Sequence, residues 1–183
     1  MVLAVRGDAR VEAIRLADAL AAIRTQLWPI LDTEGVDISG ARGRVLATDL
    51  VAKVNLPHWD SAAVDGFAVR GPDLVPDRIN RLTVIGEAAA GHPFAGDLGP
   101  GQAVRILTGA PLPRGADVVV MQEVCRVNGA DLLVEGDLAS KKHWRRSGED
   151  VCLRARAIAA ARLRAQDVAL AGALGCSRLQ VRR

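Results

Sequence analysis

At 183 residues with a net charge of +3, the chain is sized for one domain or two small ones. Half of its residues are hydrophobic and a quarter are charged, which excludes wholesale disorder and supplies enough apolar material for a packed core. Aromatics contribute only 3%, with no Tyr, so Val, Leu, Ile and Ala must fill the interior.

The opening Met1-Val2-Leu3-Ala4-Val5-Arg6 reaches charge too soon for the apolar core of a signal peptide. No stretch approaches the roughly 20 apolar residues of a membrane span, so a cytoplasmic protein without membrane contact is expected. A helix is predicted next. Leu16, Leu20, Ile23, Leu27 and Ile30 recur at spacings of four and three, while Arg15, Asp18, Arg24 and Gln26 lie off that stripe. Pro29 marks where the pattern should end. Such a stripe is either a coiled-coil seam or an ordinary buried face. Over little more than two heptads the buried face is the better reading, with part of it open to a partner subunit.

Residues 41–52 read as a short helical turn leading into an extended entry through Val45-Leu46-Ala47 and Leu50-Val51. From about residue 53 Gly and Pro recur every few residues, separated by short apolar or β-branched runs. These runs are Leu82 to Ile85, Ala103 to Leu107, Asp117 to Met121 and Leu132 to Val134. Val118-Val119-Val120 is too β-branched for a comfortable helix. Asn128-Gly129, between two runs, signals a tight hairpin because both residues accept positive φ. After residue 150 helical composition returns. Gln166 and Asp167 open a segment through Leu174 that should stop at Gly175. Ser177 to Arg183 alternate weakly, as a strand or a linker would.

The expected fold class is α+β. A helical module built from 9–50 and 151–176 is interrupted by an inserted barrel-like or sandwich-like β domain over 51–150. Cys125, Cys152 and Cys176 are odd in number, far apart and without a CxxC pair, which suggests neither a disulfide framework nor a zinc site. The 21 Arg and 3 Lys are scattered among 21 acids, and Lys141-Lys142 with Arg145-Arg146 form the one dense basic run. A solvated loop explains that run better than a nucleic-acid site, which would gather charge into a patch beside stacking aromatics.

Three segments can carry chemistry. In Leu56 to Arg70, Asp60 and Asp65 bracket small residues, and Gly66 directly follows the second acid. Small residues beside an acid admit a ligand or a second backbone, and an Asp-capped turn needs the same pattern. In Arg105 to Pro113 an apolar strand runs into Thr108 and Gly109 and then a loop stiffened by two prolines. The Thr108 hydroxyl and the Gly109 amide can hold an oxyanion, but a strand-end turn uses the same residues. In Arg145-Arg146-Ser147-Gly148-Glu149-Asp150, two guanidiniums and two carboxylates can bind an anion and a cation side by side, or form a surface salt-bridge cluster.

Taken together and in order, the three segments resemble the molybdopterin molybdenumtransferases of the MoeA and gephyrin E-domain family. The stretch Leu56 to Arg70 is similar to the signature LPxFDNSAMDGYAVR. Gly86 to Pro93 looks like the family's G-x-x-x-A-G-x-P turn, Gly99 to Glu123 like its longest signature, and Arg145 to Asp150 like its R-R-x-G-E-D element. The resemblance runs from about residue 11 to the end. It implies an enzyme of molybdenum-cofactor biosynthesis that inserts molybdenum from molybdate into adenylated molybdopterin and releases AMP, with a divalent cation such as Mg²⁺. Asp65, Thr108 and Asp150 match cleft positions and are the implied catalytic residues. Ser61, Gly66, Gly109, Arg146 and Glu149 are the implied substrate contacts, and Asp65 and Asp150 the implied Mg²⁺ ligands. The two carboxylates suit anionic substrates only with a hard cation between them, whereas Thr108 could donate to an oxyanion directly.

The resemblance also implies a homodimer and an α/β molybdopterin-binding domain, supplied in cis or by a separate chain. Residues 177–183 would begin the linker to it. No TGDE-like, Ser-Gly-Gly or Pro-Gly-Asn-Pro segment is found, so the chain alone is expected to be inactive. Ser61-Ala62 stand where the family has Asn-Ser, Val64 and Phe67 replace its Met and Tyr, and Arg154 to Ala161 replace its Gly-based turns. A non-catalytic dimerisation module of the same family is the alternative these departures allow.

Overall fold

The computed structural model describes residues 14–135 and 143–183. The chain's opening, the start of the expected helical module at 9–13 and the Lys141-Lys142 pair lie outside the described residues. In chain order the elements are α1 (Leu16–Gln26), β1 (Thr33–Asp37), a 3-10 turn (Ile38–Gly40), β2 (Leu50–Val51), β3 (Ser61–Ala62), β4 (Gly66–Val69) and β5 (Asn80–Ala88). There follow β6 (Gln102–Ile106), β7 (Val118–Met121), β8 (Cys125–Asn128), β9 (Asp131–Val134), β10 (Trp144–Arg145), β11 (Arg156–Ile158), α2 (Ala165–Ala173) and β12 (Arg178–Arg182).

One six-stranded sheet dominates, in the order β7-β4-β6-β5-β9-β8. Its strands pair antiparallel except β5 with β6. The two edge strands, β7 and β8, are separated in sequence only by the 3-10 turn Gln122–Val124, so the sheet must curl until its edges meet at that corner. The curl explains the Val118-Val119-Val120 run. Phe67, Val69, Val118, Val120, Leu132 and Val134 pack into one apolar cluster. Ala68, Val104, Ile106 and Val119 point the other way, into a second cluster completed by Ala62, Ala88, Leu98 and Ala110. A strand buried on both faces needs a continuous apolar run rather than an alternating one.

Gly66 belongs to this packing. It is buried in β4, and a Cβ there would stand 1.9 Å from the Val120 carbonyl oxygen. Of the two reasons for a small residue beside Asp65, it is the second backbone that comes close. The hairpin between β8 and β9 is one residue later than the Asn-Gly signal suggests. Asn128 pairs with Asp131, leaving Gly129-Ala130 as the turn, with positive φ only at Gly129 (+63°). A two-residue turn with Gly first needs no help from Asn128.

The remaining residues form a smaller mixed unit. β1 pairs with β12, β2 with β11, and α2 lies beside β11 and the first 3-10 turn. Ala41, Leu46, Ile158, Leu163, Ala171, Leu179 and Val181 make its core. Arginines tie its backbone together. Arg182 donates to the carbonyls of Leu31 and Ala47, Arg162 to that of Gly43, and Arg178 to that of Gly35. At the start of α2 the Asp167 carboxylate accepts the Arg164 amide and both pairs with and bonds its guanidinium, and Gly175 (φ +81°) follows the helix as expected.

This unit is less helical than its composition suggests. Residues 41–52 contain no helix. The turn lies upstream at Ile38–Gly40, and Val45 and Leu46 form bridges to Arg162 and Val181. Arg178–Arg182 take the strand alternative for the C-terminal residues, paired along their whole length with β1 rather than leaving as a linker. The fold is therefore mostly β, with two α-helices among the described residues. α1 ends at Gln26, short of Leu27 and Ile30, because Leu27 is already extended ahead of Trp28-Pro29. Its apolar stripe is not buried: Leu16 is 75% exposed, Ile23 54% and Leu27 67%. The spacing identified a face, but none of the described residues covers it.

Candidate active site

The three segments singled out in the sequence meet at one place. β3 pairs with β10, setting Arg145 opposite Ser61 and Trp144 opposite Ala62. On its other side Ser61 bridges Pro111, the Ala62 amide donates to the Ala110 carbonyl, and the Gly109 amide donates to the Ala62 carbonyl. A short strand from the first segment is thus clasped between the second and the third. Below it, the Asp60 carboxylate accepts the Ser147 amide, and Ser147 Oγ donates to the His58 carbonyl.

An open pocket of about 440 Å³ lies at this junction, lined by Ser61, Thr108, Gly109, Arg145 and Asp150 with Leu56 to Trp59, Ala62 and Ala63. Asp65 stands behind Thr108. Its Oδ1 accepts the Thr108 amide at 2.8 Å and the Thr108 hydroxyl at 2.7 Å. Those two bonds, hydroxyl first, hold the Asp65 carboxyl below its ordinary value of 3.8 despite some desolvation, with Arg105 adding attraction. Arg145 donates to Asp150 Oδ1 at 2.6 Å and to Glu149 Oε1 at 3.1 Å, so its charge is balanced within its own loop. Glu149 Oε2 accepts the Arg146 amide, while the exposed Arg146 guanidinium lies 5.9 Å from the Trp144 ring centre.

This geometry sorts the expected residues. Ser61, Thr108, Gly109 and Asp150 share the pocket, and Asp65 reaches it through Thr108. Gly66 is sealed inside the sheet, and Arg146 and Glu149 do not line the pocket. The donors that could have formed an oxyanion hole are committed. Thr108 spends its amide and its hydroxyl proton on Asp65, and Gly109 spends its amide on Ala62. Thr108 Oγ therefore presents lone pairs, and the pocket is acceptor-rich. Among the described residues no three His, Cys, Asp or Glu converge as metal ligands. A hard cation here would take one or two carboxylate oxygens and complete its shell from substrate and water, as Mg²⁺ commonly does.

His58 and Trp59, both pocket residues, were not singled out as site residues. The available signal was a Trp inside the first segment of a chain with few aromatics. Arg145 was visible only as part of a charge run.

Residues 14–175 match the family described as MoeA N-terminal region (domain I and II). The chain belongs to that family. A molybdopterin molybdenumtransferase of Synechococcus elongatus is 38% identical over 157 residues, covering 82% of this chain and 39% of that protein. One from Nostoc sp. is 47% identical over 98 residues, covering 52% of this chain and 22% of that protein. Among solved structures, the molybdopterin biosynthesis MoeA protein of Pyrococcus horikoshii OT3 superposes with a TM-score of 0.88 at 35% identity, over 93% of this chain and 46% of that one. This MoeA N-terminal chain thus spans less than half the length of these relatives. Among its described residues no helix is long and apolar enough to cross a membrane.

Proposed function

We propose that this chain is the N-terminal lobe of a cytoplasmic molybdopterin molybdenumtransferase, which inserts molybdenum from molybdate into adenylated molybdopterin and releases AMP. The observation that carries this reading is the convergence of three sequence-distant family signatures on one pocket, through β3, β10 and the Asp65–Thr108 clasp. In this reading the chain divides near residues 51 and 150, its β part supplying one wall of a composite active site. An α/β molybdopterin-binding domain, in cis or from another chain, supplies the other wall.

Asp65 orients Thr108, and Asp150 is held at the pocket by Arg145. Each carboxylate has one oxygen without a protein partner among the described residues. Those oxygens are the atoms that would hold Mg²⁺, which when bound would neutralise the adenylate phosphate. The uncovered apolar stripe of α1 supports a homodimer, since exposed contiguous apolar surface marks interaction sites.

The test is Asp65→Ala in the full-length protein, assayed for AMP release from adenylated molybdopterin. Turnover should be lost while self-association measured by sedimentation is unchanged. Retained turnover removes Asp65 from the site, and a wild type that never releases AMP supports a non-catalytic module instead. AMP release by the 183-residue chain alone would show that no second half is required.

A further inference from the structure

The pocket's polar groups are accounted for by the proposed chemistry, but its aromatic wall is not. Trp59 lines the pocket and keeps 48% of its surface exposed. An indole left open beside Leu56, Pro57, Ala62 and Ala63 makes a flat apolar face. Its position is also fixed in advance. The His58 ring lies tilted at 58° against it, 5.7 Å between centres, and His58 Nδ1 is 2.7 Å from the Asn55 carbonyl oxygen, a distance that fits an Nδ1–H donating to it. Asn55 is itself held by two residues, donating to Ser147 Oγ and accepting the Leu153 amide.

The charges around this wall do not suit an anion. Arg145 is neutralised by Glu149 and Asp150, and the Thr108 and Gly109 donors are committed elsewhere. What remains is an exposed ring face beside the Ser61 hydroxyl and acceptor lone pairs, including those of Thr108 Oγ. This combination suits a flat nitrogen heterocycle bearing an amino group, stacked on the indole with an N–H edge toward the acceptors.

We infer that Trp59 is a substrate-binding residue whose indole stacks on a heteroaromatic ring of the substrate. The inference rests on the proposed reading, in which adenylated molybdopterin brings two such rings, a pterin and an adenine, each with an amino group. It assigns the Trp59 wall of this pocket to a ring, and leaves the phosphate to the side where Asp65 and Asp150 would hold the cation. Trp59 also stands where the family signature quoted above has Phe, so the aromatic face is retained and enlarged.

The experiment is equilibrium dialysis of the full-length protein against two probes, AMP and 6-methylpterin, for the wild type, Trp59→Phe and Trp59→Ala. Stacking on an aromatic side chain predicts that Trp59→Ala weakens one probe by roughly tenfold or more while Trp59→Phe stays within about threefold. The probe that weakens identifies which ring occupies the wall. A half-exposed side chain is not needed for folding, and matched thermal melts of the three proteins check that. If Trp59→Ala leaves both affinities within about threefold, or if the wild type binds neither probe, the inference is overturned. AMP release from adenylated molybdopterin, measured in parallel, separates it from the functional reading. Turnover with unchanged probe affinity in Trp59→Ala keeps the function and removes the stacking role. Lost probe affinity without any wild-type turnover does the reverse.

Discussion

The curled sheet and the first helix use similar apolar residues to opposite ends. In the sheet Val104, Ile106, Val119, Leu132 and Val134 are buried to within 1% of completely, on two different faces. In α1, Leu16, Leu20 and Ile23 are spaced as regularly as any core stripe, yet no residue of the helix is buried. The sheet closes on itself because its edges are joined by one short turn. Among the described residues the helix has no second layer to lie against. Apolar periodicity therefore reports which side of an element seeks burial, and only topology or a partner decides whether it is found.

The harshest test of this contrast is Gly66→Ala. The added methyl would collide with the Val120 carbonyl inside a sheet that cannot open, so a loss of about 3 kcal/mol or more, or failure to fold, is expected in urea denaturation. Ile106→Ala should remove about 2–5 kcal/mol, whereas Leu20→Ala should change the chain's stability by no more than about 0.5 kcal/mol. Leu20→Ala should instead weaken self-association in sedimentation. A large stability loss for Leu20→Ala in the isolated monomer would break the comparison.

Arg154 offers a gain in place of a loss. It sits at φ +68° in the loop before β11, a left-handed conformation that favours Gly. Arg154→Gly should stabilise by about 0.5–1 kcal/mol, as relief of the left-handed backbone outweighs glycine's entropy. A destabilised variant would show that the Arg154 side chain contributes more than its backbone costs.

Acid should act gradually. Glu34, Asp65, Asp131 and Asp167 are each held below their ordinary values, chiefly by hydrogen bonds from Arg44, Thr108, Arg81 and Arg164 respectively. A depressed carboxyl contributes stability above its ordinary value, and that contribution is lost as pH falls through the folded one. The chain should hold its full stability at neutral pH and lose it below about pH 4 in denaturant titrations. Thr108→Val should move the Asp65 titration upward, as read by carboxyl-carbon NMR. The smallest effect concerns the thiols. Burial pushes Cys125 up to about 11, so iodoacetamide at neutral pH should modify the exposed Cys152 well before it.

Much of this was legible in the residues. Val118 to Met121, Ala103 to Leu107 and Leu132 to Val134 declared strands because β-branched runs between Gly and Pro have few other uses. The Gln166 to Leu174 helix was marked at both ends. Three things were hidden because they depend on distant partners. The Asp65–Thr108 clasp joins residues 43 apart, so each looked like a free donor or acceptor. β11 is Arg156-Ala157-Ile158 within a run rich in Arg and Ala, which favour helix, and becomes a strand through its pairing with β2. Trp59 could be read as a site residue only once the pocket it lines was known.

The place where the β part begins and ends has its own consequence. Ala52 donates its amide to the Ala155 carbonyl and accepts the Arg154 amide on its own, and Val51 and Leu56 pair with Arg156 and Val151 on either side, so outgoing and returning chain are clasped together. A long excursion that starts and finishes at one rung behaves as a cassette. Its two ends are paired in the folded chain, and a foreign segment spliced in at that rung would meet the same paired ends.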